Sequence, residues 1–220
     1  MVELIRGLRA EDVRENLERV RSEIAGAGRD PADVQILAAV KYVPVEELGV
    51  LAEAGIELVG ENRAQELVAK AEAYPGTFTW DFIGHLQSRK VRQVLPYVRY
   101  IETVASESAL EQLSRYGTPD TEVLIEVNVA GETGKSGIAP SDLPAYLDRS
   151  GVKVVGLMTM PPLAPSPEAS RPYFAALREL ASEHGLPQLS MGTSQDYLIA
   201  VEEGATIVRL GTSLYRSRAS

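Results

Sequence analysis

Lys41 has the most distinctive chemical setting in this chain. It closes the run VQILAAV (34–40), whose one polar member is Gln35. An amine at the end of a buried segment loses part of its hydration and gains nucleophilicity, and such lysines form Schiff bases with carbonyl compounds. The same placement also fits a lysine whose stem packs on apolar surface while its head reaches water or a carboxylate. Two clusters of small residues offer a second kind of chemistry: SMGTS (190–194) and LGTS (210–213). Small residues let backbone N–H groups approach an anion, hydroxyls add donors, and a following helix adds its dipole. Ordinary turn and cap chemistry favours the same residue types. Arg209 interrupts the apolar run ATIVRL (205–210). A guanidinium keeps its charge and needs a partner there, either a ligand or an acid such as Glu202 or Glu203.

One motif is a decoy. GETGKSG (131–137) resembles a phosphate-binding loop, but only two residues separate Gly131 from Gly134. The nucleotide-binding motif needs four, and Pro140 and Pro144 interrupt the segment after it. The stretch reads as a loop whose Lys135 could meet an anion.

The elements that must position these residues are legible as a repeat. Residues 10–25 carry Val13, Leu17, Val20 and Ile24 at helical spacing, and Gly26 and Gly28 end the helix. Eight short Val- and Ile-rich runs come next, at 34–40, 56–60, 79–84, 98–104, 121–129, 152–158, 187–191 and 205–210. Most do not alternate, as expected for strands buried on both faces of a parallel sheet. Helical segments are predicted between them at 45–54, 61–73, 87–95, 107–116, 141–149, 168–184 and 194–203. The repeat is about 24 residues, the length of one βα unit. Eight such units predict a single-domain (β/α)8 TIM barrel over residues 1–220, in the α/β class, with an extra N-terminal helix. A doubly wound open sheet is the alternative. The Pro-rich stretch TMPPLAPSP (159–167) falls inside a unit and reads as a long loop.

Such barrels do their chemistry at the C-terminal strand ends, with phosphate sites after strands seven and eight. Those ends collect Lys41, Glu61 and Asn62, then His85 and Gln87, Asn128, Met158 and Thr159. The last two contribute Ser190, Gly192, Thr193 and Ser194, then Arg209, Gly211, Thr212 and Ser213. Lysine, arginine and a phosphate cradle at one mouth suit a pyridoxal phosphate site. A Schiff-base aldolase acting on a sugar phosphate would use the same lysine and cradle without a cofactor.

The chain resembles the small pyridoxal-phosphate homeostasis proteins, the YggS/PROSC family, relatives of the N-terminal barrel of alanine racemase. The resemblance covers nearly the whole chain. It is carried by ILAAVKYVP (36–44), GENRAQEL (60–67), FIGHLQSRK (82–90), LIEVNVAGETGKSGI (124–138), GLMTMPP (156–162) and the closing stretch 189–218. It implies pyridoxal 5'-phosphate as cofactor, held as a Schiff base on Lys41. It further implies that Ser190, Ser194, Gly211 and Thr212 hold the phosphate, with Gly192 among the cofactor-binding residues. Arg209 would face the pyridine nitrogen, with Asn62, His85 and Met158 lining the ring pocket. Tyr42 and the pair Tyr215–Arg216 depart from the family pattern at the pocket rim.

The resemblance also implies storage, delivery and limitation of the free aldehyde rather than catalysis, with transient contact with pyridoxal-phosphate-dependent apoenzymes. Related racemases take a second base from an added β-domain, and this chain ends about ten residues after strand eight. An amino-acid racemase or decarboxylase is the alternative. Composition adds bounds. Acidic residues outnumber basic ones 31 to 22, which opposes broad nucleic-acid binding. Cysteine is absent, which excludes disulfides and thiolate metal sites. The charged N-terminus lacks a signal-peptide core and no apolar run would span a bilayer, so a cytoplasmic, non-membrane, monomeric protein without bound metal is expected.

Overall fold

The computed structural model describes residues 4–163 and 165–216. Eight parallel strands close into a barrel in chain order. They are β1 Gln35–Ala39, β2 Leu58–Glu61, β3 Thr79–Phe82, β4 Tyr100–Val104, β5 Glu122–Glu126, β6 Lys153–Met158, β7 Gln188–Thr193 and β8 Ile207–Leu210. Closure comes from β1 pairing with β8, Gln35 to Ile207 through Ala38 to Leu210. Helix α1 spans Ala10–Gly26 and precedes the barrel. One helix then succeeds each strand: α2 Leu48–Glu53, α3 Ala64–Ala73, α4 Val91–Val94, α5 Glu107–Tyr116, α6 Leu143–Arg149, α7 Arg171–Glu183, α8 Tyr197–Glu202 and α9 Thr212–Tyr215. This is the TIM barrel with an added N-terminal helix that the repeat predicts. Six of the strands are shorter than the apolar runs that contain them, whereas β2 ends one residue and β7 two residues past their predicted runs. Among the described residues, no helix is long and apolar enough to cross a membrane.

Two apolar cores explain why the strands do not alternate. Residues on one face of the strands meet the helices in a continuous outer core that includes Val59, Val123, Leu157, Val208 and Phe174. Residues on the other face fill the lumen, where Leu37, Tyr100, Leu124, Val155, Met158 and Ile207 pack together with Leu58 and Ile83 against them. Strands sandwiched in this way are apolar on both sides. Phe78, Trp80 and Phe82 belong to the outer core.

Helix α1 braces the last turn of the barrel. Val13, Leu17, Val20 and Ile24 bury its inner face. From the same helix, Asn16 donates through Nδ2 to the carbonyls of Leu214 and Arg216, and Arg19 donates to the carbonyl of Ser213. A four-residue helix such as α9 cannot satisfy its own terminal carbonyls, so these donors replace the missing partners. The segment leading into α1 is tied to the loop after β1. There Ile5 N–H donates to Tyr42 O at 2.8 Å, and Gly7 and Leu8 N–H donate to the Glu47 carboxylate.

Candidate functional site

Lys41 lies two residues past β1, in a turn closed by the Val43 N–H donating to Val40 O at 3.0 Å. It is exposed rather than partly buried, contrary to the expectation from its apolar neighbours. The run before it buries the strand, and the turn then lifts the amine out at the barrel mouth. Its Nζ stands 5.0 Å from the centroid of the Tyr42 ring. Among the described residues it makes no hydrogen bond or ion pair, so the amine is accessible and uncommitted.

On the adjacent strand end, Gly211 and Ser213 point their backbone N–H groups at one spot. In this structure the Ser194 Oγ occupies that spot and accepts from both at 3.2 Å. Two amides converging on a single oxygen form a small anion-binding concavity. A Cβ at Gly211 would meet only Ala39 O, at 3.9 Å, so the protein's own packing does not demand glycine there. A ligand approaching the main chain would. Thr212 begins α9 and is exposed beside these amides. Gly192 serves a different purpose. Its φ of +90° and the 2.6 Å that would separate a Cβ from Ala200 Cβ make it a close-packing residue between β7 and α8.

Ser190 departs from the expected phosphate cluster. It is fully buried in the lumen, where its Oγ accepts from Arg209 at 2.5 Å and donates to Glu102 Oε2 at 2.6 Å. Its place in the strand separates it from Ser194: Ser190 lies in the ladder opposite Ile207, whereas Ser194 comes after the end of β7. Arg209 does not pair with Glu202 or Glu203, which are engaged by Arg171. Instead Arg209 donates to Ser190, to Thr159 O at 2.9 Å and to Met160 Sδ at 3.0 Å. Burial works against its charge, but a guanidinium keeps it, so the mouth of the lumen holds a fixed cation.

Below Arg209 lies a pair of acids. Asp81 is fully buried and ionically tied to Arg99 at 2.5 Å. Glu102, also fully buried, is pushed up to about 8 by loss of hydration and by the neighbouring Asp81. Its Oε1 is buried without a hydrogen-bond partner, and its carboxyl interacts with that of Asp81. That arrangement is satisfied when Glu102 carries the proton itself and donates it to Asp81.

Asn62 comes directly after β2, and its Oδ1 is buried without a hydrogen-bond partner. An orphaned acceptor on the strand end neighbouring that of Lys41 is what a ligand-facing amide looks like. His85 lies beyond β3 and is exposed. Met158 ends β6 and packs in the lumen. Thus Lys41, Asn62, Ser194, Arg209, Gly211 and Thr212 occupy the contiguous part of the mouth formed by β7, β8, β1 and β2. His85 follows β3 and Met158 ends β6, the strands that flank this part on its two sides. A cleft of about 750 Å³ opens beside this part, lined by Glu126, Ser136, Met160 and Thr193 among others. Burial raises the Glu126 carboxyl, which accepts from the Ser136 hydroxyl at 2.7 Å. Lys135 of the decoy loop is paired with Glu132.

Three features escape sequence reasoning. Lys70 is buried on α3 and paired with buried Glu61. Its signal is a charge on the helix face carrying Leu67 and Ala71. Glu102 shows as an acid inside the run VRYIETV (98–104). Tyr215 has a buried hydroxyl without a partner, for which no sequence pattern stands out. Residues Ser217 and Arg218 of the closing motif lie outside the described residues.

Comparison with known proteins extends these observations. Residues 8–219 match the family described as alanine racemase, N-terminal domain. A pyridoxal phosphate homeostasis protein of Aquifex aeolicus is 40% identical over 216 residues, covering 92% of this chain and 95% of the relative. One of the same name from Pseudomonas aeruginosa is 38% identical over 219 residues, covering 95% of each. Among solved structures, PipY of Synechococcus elongatus with pyridoxal phosphate bound is 31% identical with a TM-score of 0.79, covering 93% of this chain and all of that one.

Proposed function

Because the chain belongs to the alanine racemase N-terminal domain family, we propose that it binds pyridoxal 5'-phosphate at the barrel mouth and acts in pyridoxal phosphate homeostasis, holding the cofactor on Lys41. One juxtaposition carries the reading. The uncommitted Lys41 amine stands just past β1, beside the β8 turn that aims two backbone N–H groups at one point. When bound, the cofactor supplies an aldehyde that condenses reversibly with a primary amine, and a phosphate that anchors it.

The residues fit such a group. Gly211 and Ser213 N–H with the Ser194 hydroxyl hold the anion, and the bare Cα of Gly211 allows its approach. The orphaned Asn62 Oδ1 offers a polar contact on the lysine side. Arg209 keeps a positive charge at the lumen, fixed by Ser190 and Thr159. Ser190 therefore acts on the site through Arg209, not on the anion.

Storage and delivery, not turnover, is the reading that Arg209 supports. The resemblance turns this guanidinium toward the pyridine nitrogen. A cation there opposes ring protonation and weakens the ring as an electron sink for carbanion chemistry. Adding pyridoxal 5'-phosphate to the purified chain is expected to produce a visible Schiff-base absorbance that Lys41→Ala abolishes. Survival of that absorbance in Lys41→Ala overturns the assignment, and robust amino-acid turnover by the loaded protein overturns the carrier reading.

A further inference from the structure

The wall of the barrel behind Lys41 contains an ion pair that the site itself does not use. Lys70 on α3 is 3% exposed and Glu61 at the end of β2 is fully buried. Lys70 Nζ donates to Glu61 Oε2 at 2.5 Å and to Val40 O at 2.8 Å. The other oxygen, Glu61 Oε1, accepts from Asn62 N–H at 2.7 Å and Arg63 N–H at 3.2 Å. Burying two opposite charges brings little net stability compared with apolar packing, so their grip on the backbone is the more informative effect.

Val40 is the last point at which β1 and β2 are joined, its N–H donating to Gly60 O at 2.9 Å. Beyond it the strand ladder stops. The Val40 carbonyl then closes the turn that presents Lys41 and Tyr42, accepting from Val43 N–H. Lys70 binds the same carbonyl. The partner of Lys70, Glu61, holds the first amides of the turn that presents Asn62. One buried pair therefore clamps two neighbouring loops, each carrying a residue of the candidate site.

We propose that Glu61 and Lys70 are positioning residues that fix the Lys41 turn against the Asn62 turn, and so set how tightly the Lys41 amine captures the aldehyde of pyridoxal phosphate. The inference rests on the reading of Lys41 given above. In the capture step the neutral Lys41 nitrogen adds to the aldehyde carbon, and a C=N bond replaces C=O. The aldehyde oxygen leaves as water with both amine protons. Lys70 makes no such bond, since its ammonium is engaged by Glu61 and Val40.

The test separates capture from anchoring. Pyridoxine 5'-phosphate has the same ring and phosphate but no aldehyde, so its affinity reports the cradle alone. In Glu61→Gln/Lys70→Met the buried charges go together. The introduced amide oxygen can still accept from Asn62 and Arg63, so the variant gives up the clamp on Val40 and keeps the Asn62 turn. This variant is expected to bind pyridoxine 5'-phosphate as the parent does. Its affinity for pyridoxal 5'-phosphate, read from the Schiff-base absorbance, is expected to fall about tenfold or more, in keeping with the cost of misplacing a reacting group. Unchanged affinity for both ligands, or equal loss of both, overturns the proposal. Amide hydrogen exchange of the unsubstituted protein gives a second test that needs no variant to fold. The Val43 amide, whose acceptor Lys70 clamps, is expected to be protected as strongly as the strand amides, and fast exchange there also overturns the proposal. Failure of the underlying reading looks different: the parent's absorbance would then survive Lys41→Ala.

Discussion

The barrel buries two ionic clusters, and they are built on opposite principles. The outer wall holds Glu61 with Lys70, one acid and one base, with each charge matched and each carboxylate oxygen hydrogen-bonded. The lumen holds Asp81, Glu102 and Arg209, where two acids stand close and Glu102 Oε1 faces no donor. The wall cluster is balanced by its countercharge. The lumen cluster is balanced by a proton. Burial and the neighbouring Asp81 push the Glu102 carboxyl up to about 8, and it shares the Ser190 hydroxyl with the cation that the proposed function uses.

The sharpest way to break this contrast is to remove one partner of the wall pair. Lys70→Met leaves the Glu61 carboxylate buried and uncompensated, and its cost in urea unfolding is expected to be about 3–5 kcal/mol. Glu61→Gln/Lys70→Met is expected to recover most of that loss, since a neutralised pair no longer strands a charge. Equal destabilisation by the single and the double variant would show that the pair is not acting as a matched unit.

The lumen cluster makes a prediction in pH instead. Glu102 holds its proton in the folded chain up to about 8 and releases it near 4.5 when unfolded. Between those values the folded state binds more protons, so the contribution of Glu102 to stability is full below about 4.5 and is lost as pH rises through about 8. Glu102→Gln keeps an acceptor for Ser190 and cannot ionise. Its stability measured from pH 5 to 9 is expected to be flatter than the parent's by a few kcal/mol across that window, on the order of 1.4 kcal/mol per pH unit. A variant that tracks the parent over the whole range would show that Glu102 holds no such proton.

Ser190→Ala is a smaller perturbation of the same cluster. It removes the hydroxyl between Arg209 and Glu102 and is expected to cost about 1–3 kcal/mol, because both neighbours keep buried polar atoms without that partner. Thermal or urea unfolding reads it, and a cost near zero would mean that the hydroxyl does not bridge the two. The smallest effect on stability belongs to the mouth. Gly211→Ala makes only an ordinary contact with Ala39 O and is expected to change stability by no more than about 0.5 kcal/mol, while weakening pyridoxal 5'-phosphate binding measurably. Parallel loss of stability and binding would mean that Gly211 serves the fold instead of the ligand.

The same contrast explains what can be read without coordinates. The strands are legible because burial on two faces writes itself as continuous Val and Ile. The helices are legible because their inner faces recur at helical spacing, as in Val13, Leu17, Val20 and Ile24. The mouth is legible as residue types at strand ends: Lys41, Asn62, Arg209 and Gly211 fall on neighbouring strands once the barrel closes. Ser190 departs from its expected place because it lies within the strand and Ser194 beyond its end, and SMGTS does not mark where the ladder stops. The exposure of Lys41 is hidden because the turn at Val40–Val43 carries no glycine or other marker of a sudden exit. The two ionic clusters are illegible for a different reason. Lys70 finds Glu61 and Val40 across two elements, and Glu102 finds Ser190 at a separation of 88 residues, so each looks locally like an ordinary charge.

The central claim is that the Lys41 amine carries pyridoxal 5'-phosphate. Reducing the mixture of protein and cofactor with borohydride and mapping the modified peptide by mass spectrometry tests it most directly. The predicted result is one reduced pyridoxyl adduct per chain, on Lys41. An adduct on Lys70 or Lys135, or scattered labelling that leaves Lys41 free, would contradict it.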